Sequence, residues 1–144
     1  MSRTKFAGLA VIVASLFLYA GTTRAQQKGP NVLARGEFHN ADKAGKGTAT
    51  VYQVAKGKRL LRLTGFAVDN GPDLHVRLIA ADDARDTASV AKTGHVELGK
   101  LKGNKGNQNY DLPENVDLSK YKVVSIWCNR FSVNFAAAPL TAAK

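Results

Sequence analysis

From Val32 onward the chain alternates short apolar runs with Gly, Asn, Asp and Lys punctuation. Apolar and polar positions that alternate with a period of two predict half-buried strands, and the punctuation predicts short connections between them. Strands are predicted over 32–39, 47–54, 59–68, 73–80, 96–98, 107–112, 123–128 and 131–136. Helix signals are poor: Asp117 before Leu118-Ser119-Lys120-Tyr121 predicts a single capped turn leading into the next strand. Residues 81–93 are the longest stretch of polar and small side chains and read as a loop with room for a helical turn. The pattern predicts an all-β fold, an antiparallel β-sandwich or flattened barrel of about eight short strands.

Strand parity assigns faces. In 73–78, Leu74, Val76 and Leu78 share one side, while Asp73, His75 and Arg77 share the other, so His75 points away from the leucine layer. In 123–128, Val124, Ile126 and Cys128 oppose Val123, Ser125 and Trp127; both sets are mostly apolar, which predicts a central strand covered on both sides. Phe131, Val133 and Phe135 alternate with Ser132 and Asn134, a half-buried pattern. The short Asn129-Arg130 link predicts a hairpin that sets Cys128 at a sheet end, beside Arg130 and a loop. Partial exposure with a lowered pKa is open to a thiol there, whereas one in mid-core is a small inert hydrophobe; the sequence leaves exposed and packed as alternatives.

The N-terminal pattern differs from all of this. Arg3 and Lys5 precede an apolar run over 6–21 and the triplet Thr23-Arg24-Ala25, which reads as a cleaved secretory signal peptide over 1–25. The run is shorter than the roughly 20 residues of a membrane span, so no span is expected after cleavage. Residues 26–144 are then one exported domain, periplasmic or extracellular, with a core over about 33–140. Loss of Arg3, Lys5 and Arg24 lowers the formal net charge from +10 to +7. The remaining cations are scattered: Lys56, Lys58, Arg59 and Arg62, then Lys100, Lys102 and Lys105, then Lys120 and Lys122. With no aromatic RNA-binding strand, zinc finger or basic helix, no nucleic-acid partner is expected. Two readings of the charge stay open: solvated faces and turns, or attraction to an anionic envelope component or an acidic redox partner.

The chemistry is bounded by what is missing. Cys128 is the only cysteine, which excludes an intramolecular disulfide, a thioredoxin-type pair, a four-cysteine zinc site and an iron–sulfur cluster held within one chain. The only methionine, Met1, leaves with the signal, and no histidine follows Cys128. Met/His haem and blue-copper sites are therefore excluded. An unpaired thiol in an oxidising compartment is inert by burial, paired with another molecule, or chemically employed. The remaining metal-ligand candidates are Cys128 with His39, His75 and His95, at spacings that follow no standard motif. His75 stands out because it follows the turn Asn70-Gly71-Pro72-Asp73, with Asp73 on its own face to orient it. Trp127 reads first as a core residue and second as a shield for a redox group. No nucleophile elbow or protease-like sequence surrounds Cys128, so a redox or binding module is expected rather than a hydrolase or transferase. Gly103-Asn104-Lys105-Gly106-Asn107 lacks the P-loop pattern and reads as a hairpin turn.

The run 60–78, Leu-Leu-Arg-Leu-Thr-Gly-Phe-Ala-Val-Asp-Asn-Gly-Pro-Asp-Leu-His-Val-Arg-Leu, resembles the signature of the DM-thirteen electron-transfer domain family. Residues 98–110, 116–121 and 124–135 are similar to later segments of that family, and Gly36-Glu37-Phe38 and Gly47-Thr48-Ala49 to its opening strands. The resemblance covers about 33–140; residues 81–93 are less family-like. It implies a small secreted β-sandwich, often accompanied by DOMON modules. It also implies an electron-transfer role centred on the cysteine at Cys128, as a bare thiol or as ligand to a prosthetic group such as haem. Asp73, His75, Trp127 and Arg130 are the supporting candidates, and a redox protein is the implied partner. The alternative is a non-redox cell-envelope module that docks an anionic partner through its basic surface while Cys128 merely packs.

Overall fold

A computed structural model describes Gly21 and residues 29–144, so the predicted signal peptide over 1–25 lies, apart from Gly21, outside the described residues. Ten strands follow in order: β1 Asn31–Glu37, β2 His39–Asn40, β3 Gly45–Ala55, β4 Lys58–Val68, β5 Leu74–Ile79, β6 His95–Lys100, β7 Gln108–Leu112, β8 Val123–Cys128, β9 Val133–Pro139 and β10 Thr141–Ala142. They form two antiparallel sheets of five strands, ordered β10-β1-β3-β4-β7 and β2-β9-β8-β5-β6. The fold is all-β, as the alternation predicts, and it is an open two-sheet sandwich rather than a closed barrel.

Two differences from the predicted strands have one physical cause. The first predicted strand breaks at Phe38, because the chain crosses there from one sheet to the other: β1 pairs with β3, whereas β2 pairs with β9. Phe38 is the side chain left between the sheets, buried edge-on against Phe66 with ring centroids 5.1 Å apart. The segment 103–107 likewise joins β6 of one sheet to β7 of the other, so it is an inter-sheet connection and not the hairpin turn its composition suggests. A true two-residue turn is Lys56-Gly57 between β3 and β4, where Gly57 has φ +73, a left-handed conformation that glycine adopts without steric cost. Asp117 does end in one turn: its carbonyl accepts the Lys120 and Tyr121 N–H groups, and its carboxylate accepts from Ser119.

The core lies between the sheets. Ala49, Val51, Leu61 and Leu63 from the first sheet meet Val76, Leu78, Val124 and Ile126 from the second, all at 0% exposure. Each of the Val, Leu and Ile side chains among them contributes about 1.5–3 kcal/mol through burial. β8 is central between β9 and β5, in line with its two apolar faces.

β9 departs from the half-buried reading. Between Ile126↔Ala136 and Trp127↔Asn134 the register shifts, leaving Phe135 as an extra residue. Phe135 and Ala136 therefore both join the main core, while Asn134 faces outward. Yet Asn134 is fully buried, because the β5–β6 connection folds back over this outer face as a strap. Its Ala84 and Val90 form a second apolar cluster with Ile79, Val123 and Ala137. Asn134 pins the strap: its Oδ1 accepts from Ser125 Oγ at 2.7 Å, and its Nδ2 donates to the Ala84 and Asp86 carbonyls at 3.3 Å. Thr87 Oγ1 accepts the Asn134 N–H at 2.9 Å, and the Thr87 N–H reaches Asp42 at 3.0 Å.

Candidate functional site

Cys128 is the last residue of β8, paired with Leu74 of β5 and Val133 of β9. Its position at a strand end agrees with the hairpin argument. The side chain points inward and is 0% exposed, within the main core cluster that holds Leu74, Ile126 and Phe135. Of the two states that the sequence leaves open for the thiol, the structure has the packed one. The link above it is longer than two residues: Asn129, Arg130, Phe131 and Ser132 form the turn, and Cys128 pairs directly with Val133. The turn packs closely onto the β4–β5 loop. A side chain at Gly71 would approach Leu74 to 2.8 Å and the Phe135 ring to 3.0 Å, so the loop closes over Cys128's neighbours only because Gly71 has no Cβ.

The other face of the same strands is polar. Asp73, His75 and Arg77 share it, as parity predicts, and the β5–β6 and β5–β8 pairings add Glu97 and Trp127. His75 lies between two carboxylates: its Nε2 is 2.8 Å from Asp73 Oδ1, and its Nδ1 contacts Glu97 Oε1. Arg77 donates from Nε to Glu97 at 3.0 Å and from Nη2 to Asn129 Oδ1 at 2.8 Å. Its guanidinium carbon sits 5.0 Å from the centroid of the Trp127 ring. Trp127 is therefore a half-buried outer-face residue, packed against the second apolar cluster and lying under a cation. Together with Arg77, Ile79, Val90, His95 and Ser125 it lines a narrow cavity. Glu97 and Asn129 escaped the sequence reading. The parity of 96–98 does put Glu97 opposite Val96 and Leu98, but the pairing of β6 with β5 is a tertiary fact.

The three histidines stay apart. His39 on β2 contacts the Asn40 carbonyl at 2.7 Å and Asp83 at 2.6 Å, His75 sits on β5, and His95 opens β6 opposite Ile79. Burial is the largest single influence on Asp83 and pushes its carboxyl up. Hydrogen bonds from His39 and the Ala84 N–H, with the charges of His39 and Arg85, outweigh it and hold the group below its ordinary value. Arg130 is exposed on the turn, beside Cys128 in sequence but outside the core that holds the sulfur.

This geometry bears on ligands. Among the described residues, no group of three or more His, Cys, Asp or Glu side chains is arranged to hold a metal ion. Cys128 and His75 occupy opposite faces of the second sheet, so they do not form a shared Cys/His site. A haem would need open space at the sulfur for a flat macrocycle. Cys128 is instead close-packed at 0% exposure. The residues present do not fit a Cys128-ligated haem. Among the described residues, no helix is long and apolar enough to cross a membrane.

Comparison with known proteins adds one finding. Residues 37–140 match the family described as Electron transfer DM13. Neither a curated protein nor a solved structure gave a significant match. The match spans well over half of the chain and runs from the end of β1 to the residue after β9, so it takes in both sheets of the sandwich. The chain belongs to the DM13 electron-transfer family, a membership that points to a redox-related role.

Proposed function

We propose that this protein is an exported electron-transfer module whose redox group is the bare thiol of Cys128, exchanging with a dithiol/disulfide partner protein. The observation that carries this reading is the position of the thiol. Cys128 is the last residue of β8, and all four residues of the turn above it, 129–132, are exposed. The reading requires local opening at this end of the sandwich, near the β4–β5 loop that packs over Leu74 and Phe135, to reach the sulfur while both sheets stay paired. The thiol then loses its proton to solvent, and its sulfur attacks one sulfur of the partner's disulfide. The partner S–S bond breaks, a Cys128–partner disulfide forms, and the partner's other sulfur leaves as a thiolate carrying the electron pair. The lack of room at Cys128 favours this bare thiol over a thiolate-ligated prosthetic group.

Complete burial of Cys128 favours a second reading, a non-redox envelope-binding module in which the thiol only packs. Glutathione disulfide separates the two. Incubated with the mature protein, it should give a slowly formed adduct of one glutathione per chain, absent from Cys128→Ser, at a rate well above that of global unfolding. A thiol that stays unmodified until the whole domain unfolds would overturn the redox reading and leave the packing one.

A further inference from the structure

We propose that the end of the sandwich above Cys128 is a docking surface for an acidic protein, with Phe131 as its apolar anchor and Lys43, Lys100, Lys105 and Arg130 as its electrostatic rim. The proposal deepens the redox reading by giving the class of partner, and it rests on that reading only for what happens after docking. Phe131 is 61% exposed, more than Val54 at 49% or Val32 at 37%. An aromatic ring held in water on a short turn is the kind of group that supplies most of the energy of a protein contact. The turn is also held in place. Ser132 has φ +52, the one described non-glycine residue in the left-handed region. The Asn129 N–H donates to the Asp73 carbonyl at 2.9 Å, while Arg77 holds the Asn129 side chain. A preset turn loses little freedom on binding.

The rim comes from neighbouring loops at the same end. The Lys43 N–H donates to the Phe135 carbonyl at 3.1 Å, which sets the β2–β3 loop against β9 just past the turn. On the other flank Lys100 and Asp73 line one cavity with Asn104, and Lys105 follows in the same connection. All four cations are exposed, and among the described residues none makes an ion pair. Three acids stand among them and keep their charge: Asp42, hydrogen-bonded by Thr87, Asp69, by the Ala44 N–H at 3.2 Å, and Asp73, by His75. Elsewhere Lys122 and Arg85 are paired with Asp82 and Asp83, while Lys56, Lys58 and Lys120 are, among the described residues, unpaired as well. With Lys46 counted, five exposed cations face three acids at the Cys128 end, a net positive excess around one apolar side chain. A second copy of this chain would bring like charge to like charge, so the complementary partner is an acidic one. Recognition of anionic lipid uses about four to eight basic residues clustered together, whereas here they are spread over separate loops with acids between them.

The test is an amide NMR titration of mature Cys128→Ser protein with two soluble Glu-rich peptides, one carrying a central Leu-Leu pair and one Ala-Ala. The Leu-Leu peptide should shift residues 129–132 and the amides of Lys43, Lys100 and Lys105, bind several-fold tighter than the Ala-Ala peptide, and weaken by about tenfold on moving to about 0.2 M salt. Phe131→Ala should cost about five- to tenfold in affinity for it, and charge reversal of Lys56 and Lys58 at the far end should change nothing. Shifts centred at the far end, no effect of Phe131→Ala, or tighter binding to phosphatidylglycerol vesicles than to the peptide would each overturn the proposal. Because Cys128→Ser is expected to bind like wild type, loss of glutathione exchange with retained docking would strike only the redox reading. The reverse pattern would strike only this one.

Discussion

Cys128 and Trp127 are adjacent in β8 and share no surroundings. On the Cys128 side every neighbour in the cluster is apolar and nearly or wholly buried, and the thiol has no polar partner. On the Trp127 side five groups, Asp73, His75, Glu97, Arg77 and Asn129, are tied together by hydrogen bonds, and the indole lies under a guanidinium. The two faces of one strand thus divide the labour. The inner face stores folding energy and hides the thiol; the outer face is buried under the strap at Val123 and Ser125 and holds charge only around Trp127. A residue type that suggests chemistry need not lie on the face where chemistry is accessible.

The contrast breaks most readily from the inside. Ile126→Ala removes a fully buried side chain one pleat from Cys128 and should cost about 2–5 kcal/mol, read from urea denaturation. Trp127→Phe on the outer face should cost well under that; equal losses would mean that the faces are not energetically distinct. Cys128→Ser puts a hydroxyl in the same apolar site and should cost about 1–3 kcal/mol. A neutral result would indicate that solvent or a polar group reaches the sulfur, contrary to its packing.

What could be read from the sequence follows the same division. Alternation gives faces, so it put Leu74, Val76 and Leu78 inside, His75 outside, and Cys128 on the side of Ile126. It does not give covers. Asn134 looks like a solvent-facing residue of a half-buried strand because its cover, Ala84 to Val90, is supplied from about 50 residues away by a loop with no periodicity of its own. The same blindness hid the crossing at Phe38, since an apolar residue at a sheet-to-sheet step looks like any other strand position. It also left the exposure of Cys128 open: a strand end next to Asn-Arg is compatible with solvent, and only tertiary packing shows the thiol buried among Leu74, Ile126 and Phe135.

The strap extends the comparison to the outer face itself, half of which is covered and half open. Asn134→Ala would leave Ser125 Oγ and two strap carbonyls without their partner, at a cost of about 1–3 kcal/mol. Hydrogen exchange should quicken across 81–93 and leave β5 protected. In the open half, Glu97→Gln removes the carboxylate charge shared by His75 and Arg77. Glu97 is 41% exposed, so solvent screening limits the loss to under about 1 kcal/mol, and salt should shrink it further. If this substitution proved as damaging as Asn134→Ala, the open half would be as structural as the covered one.

The smallest expected effect is the pH response of the strap's anchor. Asp83 holds its carboxyl below the ordinary value of 3.8, against burial and because of His39, the Ala84 N–H and Arg85. An acid whose folded pKa is depressed binds its proton more readily in the unfolded chain. Its contribution to stability is thus present above pH 3.8 and is lost as the pH falls through the lower folded value. Acid should therefore loosen the strap before it disturbs the main core, which owes its cohesion to uncharged side chains. Amide exchange of Ala84 and Val90, followed downward from pH 5, should rise steeply in wild type relative to β8. In Asp83→Asn the neutral amide cannot gain that proton, and the rise relative to β8 should flatten. A strap that stayed as protected as β8 in wild type down to the lowest pH would show that Val90 and Ala84 hold it by packing alone, and that the ion pair on its surface adds nothing measurable.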